Sequence, residues 1–118
     1  MTSNGHVGAS AFVPAPRRIA EYTIEGFGTF YLRSLTEQER SEWESEHLDA
    51  HGMYDRSKAY RQKPSLIMRM VCDKDGDLLL PTDCLKNLLG MDSSVTSALY
   101  DACLQHLGTA TIEEAVKN

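Results

Sequence analysis

A chain of 118 residues with 42% apolar and 25% charged residues has the composition of one ordinary globular domain. Its net charge of −5 argues against a nucleic-acid partner, because phosphate neutralisation needs clustered Lys and Arg. The apolar stretch 9–15 is short and is interrupted by Pro14, so we predict no signal peptide, no membrane span and no membrane partner. Three cysteines, odd in number and widely spaced, predict reduced thiols in a cytoplasmic protein.

Residues 1–17 are rich in Ser, Gly, Ala and Pro and contain few bulky apolar side chains. Such a segment buries too little surface to offset the entropy that folding costs, so we predict a disordered N-terminal arm. The remaining residues, 18–118, are predicted to form a single domain that contains a hairpin and several helices.

The first element of that domain is predicted to be a β-hairpin. Tyr22 and Ile24 alternate with polar residues, and the sequence Glu-Gly-Phe-Gly at 25–28 supplies turn chemistry. Pairing these two residues with Phe30 and Leu32 gives a better apolar face than the alternative register does.

Helical signals follow the hairpin. Thr36 and Glu39 form a capping box, which predicts a helix that begins there and ends near Gly52. Apolar residues at helical spacing predict a second helix that ends at about Cys72, and Thr82 is the predicted cap of a third helix.

A fourth helix begins at Asp92 or Ser93, is apolar around much of its circumference and ends at Gly108. Thr111 is a candidate cap for a last short turn. We therefore expect an α+β domain that is mostly α-helical, with an N-terminal β-hairpin packed on a bundle of about four helices.

Two clusters invite a metal interpretation that the sequence does not support. The alternating acids at 73–77 resemble the start of an EF-hand loop, but Leu78 and Cys84 replace the obligatory glycine and the bidentate glutamate. His47 and His51 have the spacing of zinc ligands on a helix, yet no third ligand is specified. We predict an acidic turn and a partly exposed histidine face, with no bound metal.

The sequence also lacks a recognisable catalytic site. Cys72, Cys84 and Cys103 lie in apolar helical patterns, where a cysteine is usually a small core residue, although His106 falls near Cys103 in sequence. There is no glycine-rich phosphate loop and no nucleophile elbow. We expect a protein that is not an enzyme and needs no cofactor.

Three large aromatic residues, Trp43, Tyr54 and Tyr60, lie in stretches that offer them no obvious core. Exposed aromatics of this kind are typical of protein–protein contacts. The alternative is that they complete a small core, and the sequence favours neither interpretation over the other.

Two short blocks resemble a known family. The first consists of an apolar residue, an arginine, a leucine, a helix cap and a second arginine: Leu32, Arg33, Leu35, Thr36 and Arg40. The second block, 71–76, reads Val-Cys-Asp-Lys-Asp-Gly and precedes a short Leu-rich helix that contains Asp83. Together, over residues 19–108, these blocks resemble the tail assembly chaperones of long-tailed, siphophage-type bacteriophages.

This resemblance implies a non-enzymatic protein of the host cytoplasm that binds the tape measure protein and helps bring tail-tube subunits to it. Family members are not components of the finished particle. We expect contacts to the partner at Trp43, Tyr54, Tyr60, Arg33 and Arg40, and the hairpin edge could support a homo-oligomer. The alternatives are a structural head–tail or tail-terminator protein of the virion, and a small cytosolic adaptor unrelated to phage.

Overall fold

The computed structural model describes residues 5–14 and 16–108. Besides two short 3-10 helices, Ala9–Ala11 and Arg56–Arg61, its elements in chain order are β1 (Ile19–Ile24), β2 (Gly28–Arg33), α1 (Glu37–Ser45), α2 (Gln62–Met70), β3 (Val71–Cys72), α3 (Leu85–Leu89) and α4 (Ser93–Leu107). None of the helices in the described ranges is long and apolar enough to cross a membrane. The turn predicted at Thr111 lies outside the described residues, as do parts of the predicted arm and domain.

The hairpin has the register that its apolar pattern favours. Tyr22 pairs with Phe30 and Ala20 pairs with Leu32, so the predicted apolar face is confirmed, and Leu32 is fully buried. The turn is closed by the N–H of Phe27, which donates to the carbonyl of Ile24 at 3.0 Å. Gly26 lies at the third position of this turn with φ +82°, a conformation that a residue with a Cβ rarely adopts.

The sheet has a third strand, which corrects the expected fold. β3 pairs antiparallel with β2, and the strand order is β1-β2-β3. The α+β class fits, but the description of the sheet as an N-terminal hairpin alone is wrong. The described residues contain four α-helices, the number expected, although α3 has only five residues. Val71 and Cys72 fit the helical spacing of α2, yet the chain becomes extended at Val71, with ψ 122°, and joins the sheet.

α1 begins as predicted and ends early. Its capping box is present, since Thr36 accepts from the Glu39 N–H and Glu39 accepts from the Thr36 N–H. The helix ends at Ser45 instead of near Gly52, because an Asp49 carboxylate oxygen accepts backbone N–H groups two and four residues later, which stabilises a turn in place of a helix. His47 and His51 therefore do not share a helical face.

α4 is bounded as predicted. The Asp92 carboxylate caps its first turn by accepting from the N–H of Ser94 at 2.8 Å, and Gly108 ends it in the left-handed conformation. The core lies between the sheet, α2 and α4, where several side chains are fully excluded from solvent: Leu32, Leu66, Ile67, Met70, Cys72 and Cys103.

The end of the hairpin opposite the turn, which we call the hairpin root, is held by polar contacts. Arg17 donates two hydrogen bonds to the Glu39 carboxylate, at 2.5 and 2.8 Å, and one to the Ser34 carbonyl at 3.0 Å. Arg33 lies 3.6 Å from the same carboxylate. These bonds, with that of Arg17 foremost, lower the pKa of Glu39 to about 2.

His106 completes the hairpin root from α4. Its ring Nε2 is 2.8 Å from the Arg18 carbonyl and must donate to it, so Nδ1 accepts from the Tyr22 hydroxyl at 3.0 Å. The Arg18 guanidinium donates to the His106 carbonyl. Burial, with the charge of Arg18 beside it, lowers the pKa of His106, which favours the neutral ring.

Candidate functional site

An apolar groove lies at the other end of the hairpin, between the turn, β2, the segment 78–80 and α3. It has a volume of about 430 Å³. We call it the turn-side groove, and the residues lining it come from every layer of the fold: Phe27, Gly28, Thr29, Phe30, Ile67, Val71, Leu79, Leu80, Cys84, Asn87, Leu88, Met91 and Leu99. None of these side chains is charged, so the groove is suited to an apolar occupant.

The rim of the turn-side groove is more exposed than its floor. Phe27 is 48% exposed and Leu79 is 59% exposed, whereas Phe30 and Leu88 are buried. Phe27 contacts Phe30 edge-on, with ring centroids 6.1 Å apart, so the rim side chain is supported by the core. Large apolar side chains that remain half exposed around a concave surface mark a site where another molecule gains free energy by covering them.

Backbone hydrogen bonds hold the rim in place. The N–H of Leu79 donates to the Val71 carbonyl at 3.1 Å and fixes the segment 78–80 beside β3. Before it, the turn at 73–77 is closed by the Asp73 carboxylate, which accepts two backbone N–H groups, with Gly76 at φ +90°. The acidic segment is thus the turn that the sequence predicts, and it positions Leu79.

A second cavity, of about 310 Å³, has a mixed lining of polar and apolar side chains. Within it, Glu46 accepts from Arg69 and from the Ser65 hydroxyl. Burial alone would raise the pKa of Glu46, but these two hydrogen bonds bring it below its ordinary value. Arg69 also lies 3.7 Å from Glu42, so this cavity holds an ion-pair cluster, and Arg61 adds a further positive charge to its lining.

The structure places the five predicted contact residues apart. Trp43 is 6% exposed, and its indole N–H donates to the Gln62 carbonyl at 3.0 Å, so it lies in the core beside α2. Arg33 donates to the carbonyls of Arg69 and Gly76 as well as pairing with Glu39. Both side chains support the fold as they stand.

The other three predicted contact residues are more accessible. Tyr54 and Tyr60 are each 57% exposed. Tyr60 lines a third cavity, of about 280 Å³, together with the half-exposed Leu89. Arg40 forms a long ion pair, 3.8 Å, with Glu44 on the same helix. None of the five residues lines the turn-side groove.

The cysteines lie in the core, and the potential metal ligands lie apart in the described part of the chain. All three cysteines are buried free thiols; burial raises the pKa of Cys72 and raises that of Cys103 to about 12, which disfavours the nucleophilic thiolate. No group of three or more potential metal ligands comes together among residues 5–14 and 16–108.

Sequence reasoning missed the turn-side groove. Its two rim residues, Phe27 and Leu79, are 52 positions apart in the chain, and each is unremarkable locally. The available signal was the run Leu78–Leu80, three apolar residues outside any predicted helix and directly after an acidic turn. A short apolar run bounded by turn residues is typical of a buried segment, and here Leu78 and Leu79 remain about half exposed.

A scan against protein-family models and a search of curated proteins found no match. The fold is similar to the solved structure of the bacteriophage HK97 tail assembly chaperone, with a TM-score of 0.51 and 18% sequence identity. The likeness covers 77% of this chain and 86% of that chain. The chain therefore has a fold like that of a phage tail assembly chaperone, at a distant level of similarity.

Proposed function

We propose that this chain is a tail assembly chaperone of a phage or prophage, and that its client is the tape measure protein. The observation that carries the proposal is the fold, which is similar to that of the HK97 chaperone over most of both chains. The sequence blocks around Thr36 and at 71–76 support the same assignment. The proposed action is reversible binding without catalysis, followed by delivery of tail-tube subunits to the bound client.

The turn-side groove is the proposed client site. A tape measure protein is long and largely helical, and an exposed apolar stripe on such a helix leads to aggregation. An amphipathic helix laid into an apolar groove inserts one row of side chains at i, i+3, i+4 and i+7. Phe27 and Leu79 would flank that row, and the uncharged lining would exclude charged segments of the client.

The experiment is co-expression of the full chain with the tape measure protein of the same phage or prophage, followed by affinity capture. We expect the client to be soluble and captured. Phe27→Asp places a charge at the groove rim and should abolish capture, because burying an unpaired carboxylate is costly. Leu89→Asp is the comparison, since Leu89 is equally exposed, at 48%, but lines the cavity of Tyr60 instead of the groove. Loss of capture in Phe27→Asp alone assigns the client to the groove.

Purified particles from the same source separate the alternatives. Absence of this protein from particles, with capture of the client, supports the chaperone proposal. Stable incorporation without capture would instead indicate a head–tail or tail-terminator component. Failure of both, with no tail genes nearby, would indicate an unrelated adaptor.

The predicted aromatic contacts need their own test. Alanine substitution of Tyr54 and Tyr60 should weaken capture if these exposed rings bind the client. Trp43 is tested with Phe instead of Ala, because Ala in place of a buried tryptophan would destabilise the fold and obscure any effect on capture. Capture that all three variants leave intact would remove the aromatic residues from the binding surface.

A further inference from the structure

The segment that precedes β1 presents apolar side chains to solvent. Every residue from 5 to 14 is exposed, with Phe12 at 78% and Val13 at 62%, and Phe12 is the most exposed large apolar residue described. The backbone hydrogen bonds found in this arm segment, residues 5–14, close its own 3-10 helix, Ala9–Ala11. The arm segment thus exposes its three bulky apolar side chains, Val7, Phe12 and Val13, to solvent.

The arm segment and the turn-side groove are chemically matched. The groove lining carries no charge, and the arm segment contains no Asp, Glu, Lys or Arg. Phe12 and Val13 on one side, and Phe27 and Leu79 on the other, are all at least 48% exposed in a single copy. Docking of the arm segment in the groove would remove exposed apolar side chains of both surfaces from water.

We infer that the arm segment of one copy docks in the turn-side groove of a second copy, in a reciprocal exchange that seats Phe12 between Phe27 and Leu79. Two identical contacts then form in one two-fold dimer, as in other exchanges of a terminal segment. The inference concerns the free protein and does not depend on the identity of the client. A client helix in the groove would displace the exchanged arm.

The short length of chain between Phe12 and the hairpin root favours the groove of a second copy over the chain's own groove. The hairpin root holds Arg17 through Glu39, and the five residues back to Phe12 span at most ~18 Å. The six residues of β1 separate the hairpin root from the turn by ~20 Å. Even a fully extended arm would therefore place the backbone of Phe12 short of Phe27 of its own hairpin, whereas the groove of another copy carries no such restriction.

The test is sedimentation equilibrium of the full chain from micromolar to millimolar concentration, with no client present. We expect the average mass to rise from 13.2 kDa towards twice that value. Phe12→Ser and Leu79→Glu should each raise the dimer dissociation constant roughly tenfold or more. Leu89→Glu, a charge at a half-exposed leucine outside the groove, should leave the dissociation constant unchanged.

Mixing the two variants tests the exchange directly. Phe12→Ser has an intact groove and a defective arm, and Leu79→Glu has the reverse, so each alone should dimerise more weakly than the mixture does. Their mixture should form a heterodimer held by one intact contact, weaker than the dimer of the unmodified chain. Urea unfolding of each variant controls for folding, which Phe12→Ser cannot disturb much because its side chain is 78% exposed.

Three outcomes would overturn the inference. The first is a full chain that stays monomeric throughout, including the case in which Phe12 proves shielded by its own groove. The second is a dimer that Phe12→Ser does not weaken. The third is a mixture of the two variants that forms no heterodimer although both are folded. None of these results involves the tape measure protein, so each leaves the proposed function to its own experiment.

Discussion

At one end of the β1–β2 hairpin the side chains are polar and paired, whereas at the other end they are apolar and half exposed. At the hairpin root, the Glu39 carboxylate accepts a hydrogen bond from Arg17, and both ring nitrogens of His106 form hydrogen bonds. At the turn, Phe27 is 48% exposed beside a groove with an uncharged lining. The hairpin therefore has a closed polar network at one end and an open apolar surface at the other.

The difference separates the part of the hairpin that supports the fold from the part proposed to bind the client. A buried polar group that loses its partner destabilises the native state, so residues of the hairpin root are constrained by stability. A half-exposed apolar side chain stabilises the fold little, because much of its surface remains in water. Substitutions at the root should therefore reduce the free energy of unfolding, and substitutions at the turn should reduce binding.

The largest expected effect is that of His106→Ala at the hairpin root. The change leaves the Tyr22 hydroxyl and the Arg18 carbonyl without their partner and opens a small cavity, so we expect a loss of about 2–4 kcal/mol of unfolding free energy. Urea denaturation measures it. Gln105→Ala, at an exposed position on the same helix, is the control and should change stability by less than about 0.5 kcal/mol. A loss at His106 no greater than the control would contradict the structural role of the root.

Glu39→Ala should have the second-largest effect, a loss of about 1–2 kcal/mol of unfolding free energy. The substitution removes half of a capping box and the partner of Arg17. The control is Glu37→Ala, an exposed acid in the same first turn.

The effect of Glu39 should depend on pH in a defined direction. Its pKa is lowered from 4.5 to about 2, so its contribution is fully present above pH 4.5 and is lost as the pH falls towards 2. Urea midpoints of the unmodified chain and of Glu39→Ala, compared across this interval, should therefore converge at the acidic end. A gap that stays constant with pH would show that the carboxylate charge is not what stabilises the root.

Local sequence signals predicted the elements whose contacts are local. The hairpin register follows from the alternation around Tyr22, and the start of α1 follows from the spacing of Thr36 and Glu39. The ends of α4 follow from Asp92 and Gly108 for the same reason, since each acts on the adjacent helical turn.

Features that depend on distant contacts were not predictable in this way. β3 contains two residues, too few to show an alternation, and its partner β2 lies about forty positions earlier. Burial of Trp43 depends on the carbonyl of Gln62 and the ring of Tyr100, so its helix alone gave no reason to place it in the core. The turn-side groove joins the hairpin to α3 and is not visible in any single segment.

Phe27→Ser tests the turn end of the hairpin. The side chain is half exposed and contacts Phe30 only edge-on, so we expect a loss of about 1 kcal/mol or less in unfolding free energy. Capture of the tape measure protein should nevertheless fall at least as far as it does in any folded variant of the hairpin root. Measured together by urea unfolding and affinity capture, a large loss of stability with normal capture would reverse the roles assigned to the two ends.

The smallest expected effect is the response of the hairpin root to mild acid. Because burial lowers the pKa of His106, the unfolded chain takes up a proton near the ordinary value of 6.5 while the folded chain resists it. The contribution of His106 is therefore fully present above that pH and declines as the pH falls below it. Protonation of Nδ1 would also end its acceptance of the Tyr22 hydroxyl. Urea midpoints from about pH 7.5 to about pH 5.5 should decrease, and His106→Gln, which cannot titrate, should flatten the slope. An equal slope in both proteins would assign the pH response to residues outside the root.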